Sequence, residues 1–232
     1  MANTEGCSVF RISFGQSDHD TERQQLRSNF SPRSDKHAFL CMEPKCMHMG
    51  FHTFPIERAD KLEDPSRYRF CSREELLEML GLDSDAVVAD LGSGTGFYSR
   101  DVAPFVDTLY AVDVQEAMHE YHREAGLLEN VELVTAGVDS LPFDDDELDG
   151  AFSTMTHHEY ATDETMVELA RVIRPDGRLV TVDWSGDGTG DDGPDIDERF
   201  NVSDVVAHLE DADFTVERIH NRPETLAVVA RR

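Results

Sequence analysis

Two rhythms of apolar and polar positions alternate along most of this chain. Short β-branched or aliphatic runs near 86–91, 108–113, 131–136, 148–154, 177–184, 213–220 and 224–230 read as strands, and segments of helical spacing at 96–105, 115–126, 162–174 and 202–212 lie among them. Ahead of the first strand, Ser72-Arg-Glu-Glu-Leu-Leu-Glu-Met-Leu80 opens with a capping-box pattern, Ser72 to Glu75, and is closed by Gly81, which predicts a leading helix. Strands and helices in alternation, joined by right-handed crossovers, predict an α/β fold built on a doubly wound sheet of seven strands, with helices on both faces.

The first 48 residues break this pattern. They have little periodicity, many Ser, Gln and Asn, and equal numbers of acidic (Glu5, Asp18, Asp20, Glu22, Asp35, Glu43) and basic side chains (Arg11, Arg23, Arg27, Arg33, Lys36, Lys45). Residues 1–48 are therefore expected to be an extension, disordered or loosely docked, ahead of a folded domain at 49–232. Met47 and Met49 leave open a shorter natural product.

Charge sharpens the division. Asp plus Glu number 48 against 21 Lys plus Arg, a net charge of −27, all of it carried from Met49 onward. Such a surface repels nucleic acid. A salt-rich cytoplasm accounts for it, because the Debye length shrinks to about 3 Å at 1 M salt and relieves self-repulsion. The chain is read on this basis as halophilic. Its melting temperature is expected to fall by roughly 10 °C as potassium chloride is withdrawn from molar to tens of millimolar, the equivalent of a few kcal/mol in a domain of this size. Mild acid should restore part of the loss. A flat curve would shift the explanation to a basic partner such as a protein substrate. The chain shows no secretory pattern and no apolar run near the roughly 18 residues of a membrane span, so a cytoplasmic protein without membrane attachment is expected. Cys7, Cys41, Cys46 and Cys71 are then expected to be reduced.

The chemistry concentrates at Val87-Val-Ala-Asp-Leu-Gly-Ser-Gly-Thr-Gly-Phe-Tyr98. A β-branched run ending in Asp90 and followed by Gly92, Gly94 and Gly96 is a strand turning tightly into a helix around a ligand. The next strand ends in Asp113, 21 positions after Gly92, where a carboxylate suits the two hydroxyls of a ribose. A dinucleotide fingerprint would need glycine at 97, occupied here by Phe97, and a pyrophosphate would be disfavoured by Asp90. A sulfonium ligand with a free amino group would not be.

Asp90-Leu-Gly-Ser-Gly-Thr-Gly96 resembles the first motif of the class I S-adenosylmethionine-dependent methyltransferases. From about Glu74 onward the motif order is similar to that family, especially its small-molecule branch related to quinone-biosynthesis methyltransferases. The resemblance implies S-adenosylmethionine as cofactor and a mostly parallel, Rossmann-like sheet. It also implies that Thr215 to Ala230 is a closing antiparallel hairpin turned at Asn221-Arg-Pro223. It assigns the ribose to Asp113 at Val112-Asp113-Val114. In Ala136-Gly-Val-Asp-Ser-Leu-Pro-Phe143, register on Leu141-Pro142-Phe143 puts Gly137 where the family has its adenine-facing aspartate, so adenine would be held by the Val138 backbone, apolar packing and Asp139. Asp149-Gly-Ala-Phe-Ser-Thr-Met155 matches the strand leading to the active site. Arg171-Val-Ile-Arg-Pro-Asp-Gly177 resembles the family's helix end and turn before the fifth strand, with Asp176 in place of the usual glycine. The cofactor set implied is Asp90, Gly92, Ser93, Gly94, Thr95, Gly96, Asp113, Val114, Val138, Asp139, Thr154 and Tyr68.

Thr156-His157-His158-Glu159-Tyr160 follows the fourth strand at the carboxyl edge of the sheet. A histidine near its ordinary pKa of about 6.5 could serve as a base, with Glu159 fixing its tautomer. A helix-opening segment with one packed and one solvated histidine is the alternative. In Arg67-Tyr68-Arg69-Phe70 a guanidinium or phenol could meet the methionine carboxylate, or the aromatic side chains could simply pack. Cys41, Cys46, His48 and His52 have zinc-ligand chemistry at the wrong spacing, so no metal is expected. Asp144-Asp-Asp-Glu147 reads as a solvated turn. The acidic run Ser185–Glu198 fits no calcium-loop register and reads as a flexible loop that could form part of a lid, with Trp184 lining the substrate pocket or anchoring the core. The expected function is methyl transfer to a small molecule, with a non-catalytic S-adenosylmethionine-binding regulatory module as the alternative. A nucleic-acid amino-methyltransferase would carry an Asn/Asp-Pro-Pro-aromatic run where this chain has Ser153-Thr-Met-Thr-His157.

Overall fold

The computed structural model describes residues 53–232. The expectations for residues 1–48, and the cluster of Cys41, Cys46, His48 and His52, lie outside them.

Seven strands form one sheet: β1 (Val87–Leu91), β2 (Thr108–Asp113), β3 (Val131–Thr135), β4 (Leu148–Thr154), β5 (Ile173–Trp184), β6 (Thr215–Asn221) and β7 (Thr225–Arg231). Their order is β3-β2-β1-β4-β5-β7-β6, with the first five parallel and β7 antiparallel to both of its neighbours. The central strands are apolar along their whole length because both faces are covered. In β1, Val88 belongs to the buried cluster that holds Leu76, Met79, Val180 and Val182, while Ala89 belongs to the second one, with Met166, Leu169, Val205 and Leu209. The period of two thus feeds two cores from one run of residues. Edge strand β6 is mostly exposed.

Among the described residues six helices accompany the sheet: α1 (Arg73–Leu80), α2 (Ser99–Val102), α3 (Glu116–Gly126), α4 (His157–Tyr160), α5 (Asp163–Val172) and α6 (Val202–Asp211). Helix α1 begins and ends where its caps require, with Ser72 Oγ accepting the Glu75 amide at 3.2 Å and Gly81 left-handed at φ +54°. The helix expected over 96–105 is shorter. Gly96, at φ +79°, cannot join a right-handed helix, so α2 starts at Ser99 and passes into a 3-10 turn, Ala103–Phe105, containing Pro104. The helix expected to reach 174 ends at Val172, and β5 begins at Ile173, which pairs with Leu148 before the Pro175-Asp176-Gly177 turn interrupts the register. Asp176 takes the left-handed conformation of that turn at φ +66°. Among the described residues no helix is long and apolar enough to cross a membrane.

Strand order reverses between β1 and β4: β2 and β3 lie to one side, β4 and β5 to the other. In such sheets the crevice at the carboxyl ends of the diverging strands is where ligands bind. Two 3-10 segments, Ile56–Glu63 and Pro65–Arg69, contribute side chains to that edge.

Candidate functional site

A cavity of about 740 Å³ opens at this edge, large enough for a nucleoside-sized cofactor and a small second molecule. Its floor comes from the carboxyl ends of β1, β2 and β4. Gly92, at φ +73°, is a position where a Cβ would fall 2.7 Å from Thr156 Oγ1. That hydroxyl donates to the Leu91 carbonyl at 3.1 Å, tying the exit of β4 to the exit of β1.

Asp113 ends β2, is 8% exposed and lines the cavity. Its Oδ2 accepts the Gly94 amide at 2.8 Å and its Oδ1 the Gln115 amide at 2.8 Å. Burial raises its pKa while the two amides pull it down. Each oxygen keeps a second lone pair on a carboxylate that the backbone holds in place. Gly92, Ser93, Gly94, Val114, Val138 and Thr154 line the same cavity.

Other anticipated cofactor residues sit elsewhere. Asp90 lies beneath the loop, 1% exposed; its Oδ2 accepts from Ser99 Oγ at 2.6 Å and its Oδ1 has no partner. Burial pushes this carboxyl up to about 7 against the pull of Ser99 and Arg67. Thr95 is buried away from the cavity, where its hydroxyl donates to Glu63, whose carboxylate also pairs with Arg100. Gly96 is glycine because the His122 ring of α3 occupies the space a Cβ would need, at 2.2 Å. Asp139 is exposed and turned back over Gly137. Tyr68 points outward to Asp101 at 2.8 Å. Its neighbour Arg67 lines the cavity instead, donating to the Leu62 carbonyl at 2.7 Å and lying over Phe97 and Tyr98 at 5.1 and 5.2 Å.

The two histidines separate sharply. His157 is buried outside the cavity, edge-on to Tyr160 and Phe200, and burial pushes its pKa down to about 4, so it is a neutral packing residue. His158 lines the cavity with its side chain 10% exposed. Its Nδ1 meets Asp183 Oδ1 at 2.9 Å, and its backbone amide donates to Asp183 Oδ2 at 2.6 Å. Asp183 also accepts the Trp184 amide at 2.8 Å. An ionised carboxylate can only accept, so Nδ1 carries the proton and Nε2 remains as the basic nitrogen. Burial opposes charge on His158, yet Asp183, with Glu159 and Glu198 nearby, raises its pKa. The tautomer is therefore fixed by Asp183 and not by Glu159. The cause is register: Thr154 pairs with Val182, which brings Asp183 beside the first turn of α4. Glu159 lines the cavity, and its carboxyl is lifted to about 7, chiefly by burial.

Sequence reasoning also passed over part of the roof. Phe54, Arg58, Lys61 and Leu62 enter from the first 3-10 segment and its approach. The acidic loop after β5, read from the sequence as one that could form part of a lid, contributes Asp192, Gly193, Pro194 and Glu198. That loop wraps around Arg199, whose buried guanidinium donates to the Pro194 carbonyl at 2.7 Å and reaches Glu224 at 3.4 Å. A buried arginine following an acidic Gly-rich stretch was the available signal. Trp184 lines the cavity and stacks edge-on against Phe70, ring centroids 4.7 Å apart.

A profile of the methyltransferase domain matches residues 89–181. The crystal structure of a SAM-dependent methyltransferase from Aquifex aeolicus is 32% identical, with a TM-score of 0.71, over 77% of this chain and 99% of that one. A ubiquinone/menaquinone biosynthesis C-methyltransferase, UbiE, from Pseudomonas entomophila is 33% identical over 122 residues, covering 47% of this chain and 46% of that protein. A sterol 4-C-methyltransferase from Caenorhabditis elegans is 27% identical over 167 residues, covering 69% of this chain and 48% of that protein. The chain spans about half the length of these curated relatives.

Proposed function

The chain belongs to the S-adenosylmethionine-dependent methyltransferases, and from that premise we propose that it methylates a small molecule, with His158 as the base. The observation that carries this reading is the division of one cavity between two prepared groups: the amide-anchored carboxylate of Asp113 and the Asp183-held imidazole of His158. S-adenosylmethionine, when bound, supplies a methyl group already activated by its sulfonium. What is left to the chain is alignment, exclusion of water and handling of a proton.

The residues fit the cofactor. Asp113 would hold the ribose hydroxyls through its free lone pairs, and Val138 would lie against the adenine. Arg67, half-buried at the cavity wall, suits the methionine carboxylate. Asp90, buried beneath the glycine loop with one partnerless oxygen, would supply negative charge behind the amino group. On the acceptor side, Nε2 of His158 would take the proton from the atom to be methylated. The quinone-biosynthesis relative supports an acceptor of small-molecule size.

Calorimetry with S-adenosylhomocysteine in molar salt tests the cofactor half. Asp113→Ala is expected to weaken binding by about 1.5–3 kcal/mol, roughly 10- to 100-fold. Preferential binding of NADH would overturn the assignment. Transfer of labelled methyl groups to the small-molecule fraction of a cell extract tests catalysis. Intact binding without any transfer would instead favour a regulatory S-adenosylmethionine-binding module.

A further inference from the structure

Charge is distributed very unevenly around the cavity. Its cationic lining residues, Arg58, Lys61 and Arg67, all come from the 53–70 roof and lie toward the cofactor half. Arg58 sits over the Phe54 ring at 5.6 Å, and the Phe54 carbonyl accepts from the Gln115 side chain at 3.1 Å, two residues beyond Asp113. Leu62, next to Lys61, would be 3.2 Å from a Cβ on Gly94, and it is the Leu62 carbonyl that receives Arg67.

The opposite half, around His158, has Glu159, Asp192 and Glu198 in its lining. Asp192 is neutralised by Arg69 at 2.8 Å. Glu159 and Glu198 have no ion-pair or side-chain hydrogen-bond partner among the described residues. Both line the cavity together with His158, Glu159 as its next residue in the chain. Phe70 and Trp184 supply apolar wall beside them.

We propose that this half of the cavity receives an organic cation, a protonated amine on an apolar or aromatic body, held between Glu159 and Glu198 and against Phe70 and Trp184. The inference rests on the reading of the cavity as a methyltransferase site and names its substrate class. A net charge of −27 does not by itself explain these carboxylates. Acid residues that serve solubility stand in water, whereas Glu159 is half-buried in the cavity lining with no side-chain partner among the described residues. Burying a carboxylate without a countercharge is costly. A cationic guest supplies that countercharge, an anionic guest would add to the repulsion, and a neutral one would leave the cost in place.

The test uses the full chain saturated with S-adenosylhomocysteine in molar potassium chloride. Matched amine, alcohol and carboxylate probes on phenylethyl, naphthylmethyl and octyl bodies are titrated by calorimetry. At least one amine is expected to bind roughly 10-fold or more tightly than its alcohol, with its carboxylate weaker still. The double substitution Glu159→Gln with Glu198→Gln is expected to abolish that preference while S-adenosylhomocysteine affinity is retained and the melting temperature is not lowered. Equal or tighter binding of the alcohols or carboxylates, failure of every amine to bind, or a preference that survives the double substitution would overturn the proposal. Saturation with S-adenosylhomocysteine is measured first, and its failure would sink the methyltransferase reading, whereas saturation without amine preference sinks only the substrate class.

Discussion

Replacing His158 by alanine is expected to lower turnover by about 10²- to 10⁴-fold, the usual worth of a positioned general base, with S-adenosylhomocysteine affinity unchanged. The pH profile carries the more specific signature. His158 accepts a proton only when neutral, and Asp183 holds its pKa above the ordinary value despite burial. Activity should therefore fall as pH drops through a value above about 6.5. In Asp183→Asn, burial is no longer opposed by that charge, so the acid limb should move to lower pH. The amide can still accept from Nδ1, so the loss of turnover should be smaller than for His158→Ala. Asp183 is in this sense a positioning residue, and an acid limb that stays in place in Asp183→Asn would remove it from that role. Unchanged turnover in His158→Ala would leave alignment as the only source of rate.

Asp90→Asn is expected to act in opposite directions on stability and on cofactor affinity. A carboxyl held at about 7 in the folded protein binds its proton more tightly there than in the unfolded chain, where about 3.9 is normal. Between those values stability falls as pH rises, by up to about 4 kcal/mol above pH 7. The asparagine carries no charge and can still accept from Ser99, although its amide nitrogen takes over the partnerless position at a cost of about 1–3 kcal/mol. Above pH 7 the cofactor-free variant should melt roughly 3–9 °C higher than the parent, a net gain of about 1–3 kcal/mol, and the difference should vanish or reverse near pH 4. Affinity for S-adenosylmethionine should fall by about 10-fold or more with the lost charge. Melting curves against pH, with and without cofactor, separate the two effects. A variant less stable at every pH would show that Asp90 is held ionised at no cost.

What could be read from the chain itself was local. The strand at 87–91 was legible because neighbouring residues feed opposite cores, leaving an unbroken apolar run. Asp113 was legible because the groups that anchor it, the Gly94 and Gln115 amides, belong to the two motifs that announce it. Ser72 and Gly81 marked both ends of α1 by chemistry confined to single turns. The misses share a different origin. Asp183 holds His158 from 25 residues away, through a strand register that no motif encodes. Gly96 answers to a histidine ring on another helix. Arg67 and Tyr68 are adjacent, yet only the arginine reaches the cavity, because a 3-10 turn sends consecutive side chains in different directions.

The roof over the cavity has a seam, where the 53–70 segment meets the acidic loop after β5. Among the described residues two contacts fasten it: the exposed ion pair of Arg69 with Asp192 of the loop, and the edge-on contact of Phe70 with Trp184 at the end of β5. An exposed pair is worth about 0–1 kcal/mol, and less as salt rises. Molar salt therefore loosens only the lesser of the two fastenings, since aromatic contact is an apolar attraction that salt does not screen. Where exposed ion pairs count for little, the seam is thus fastened by its rings.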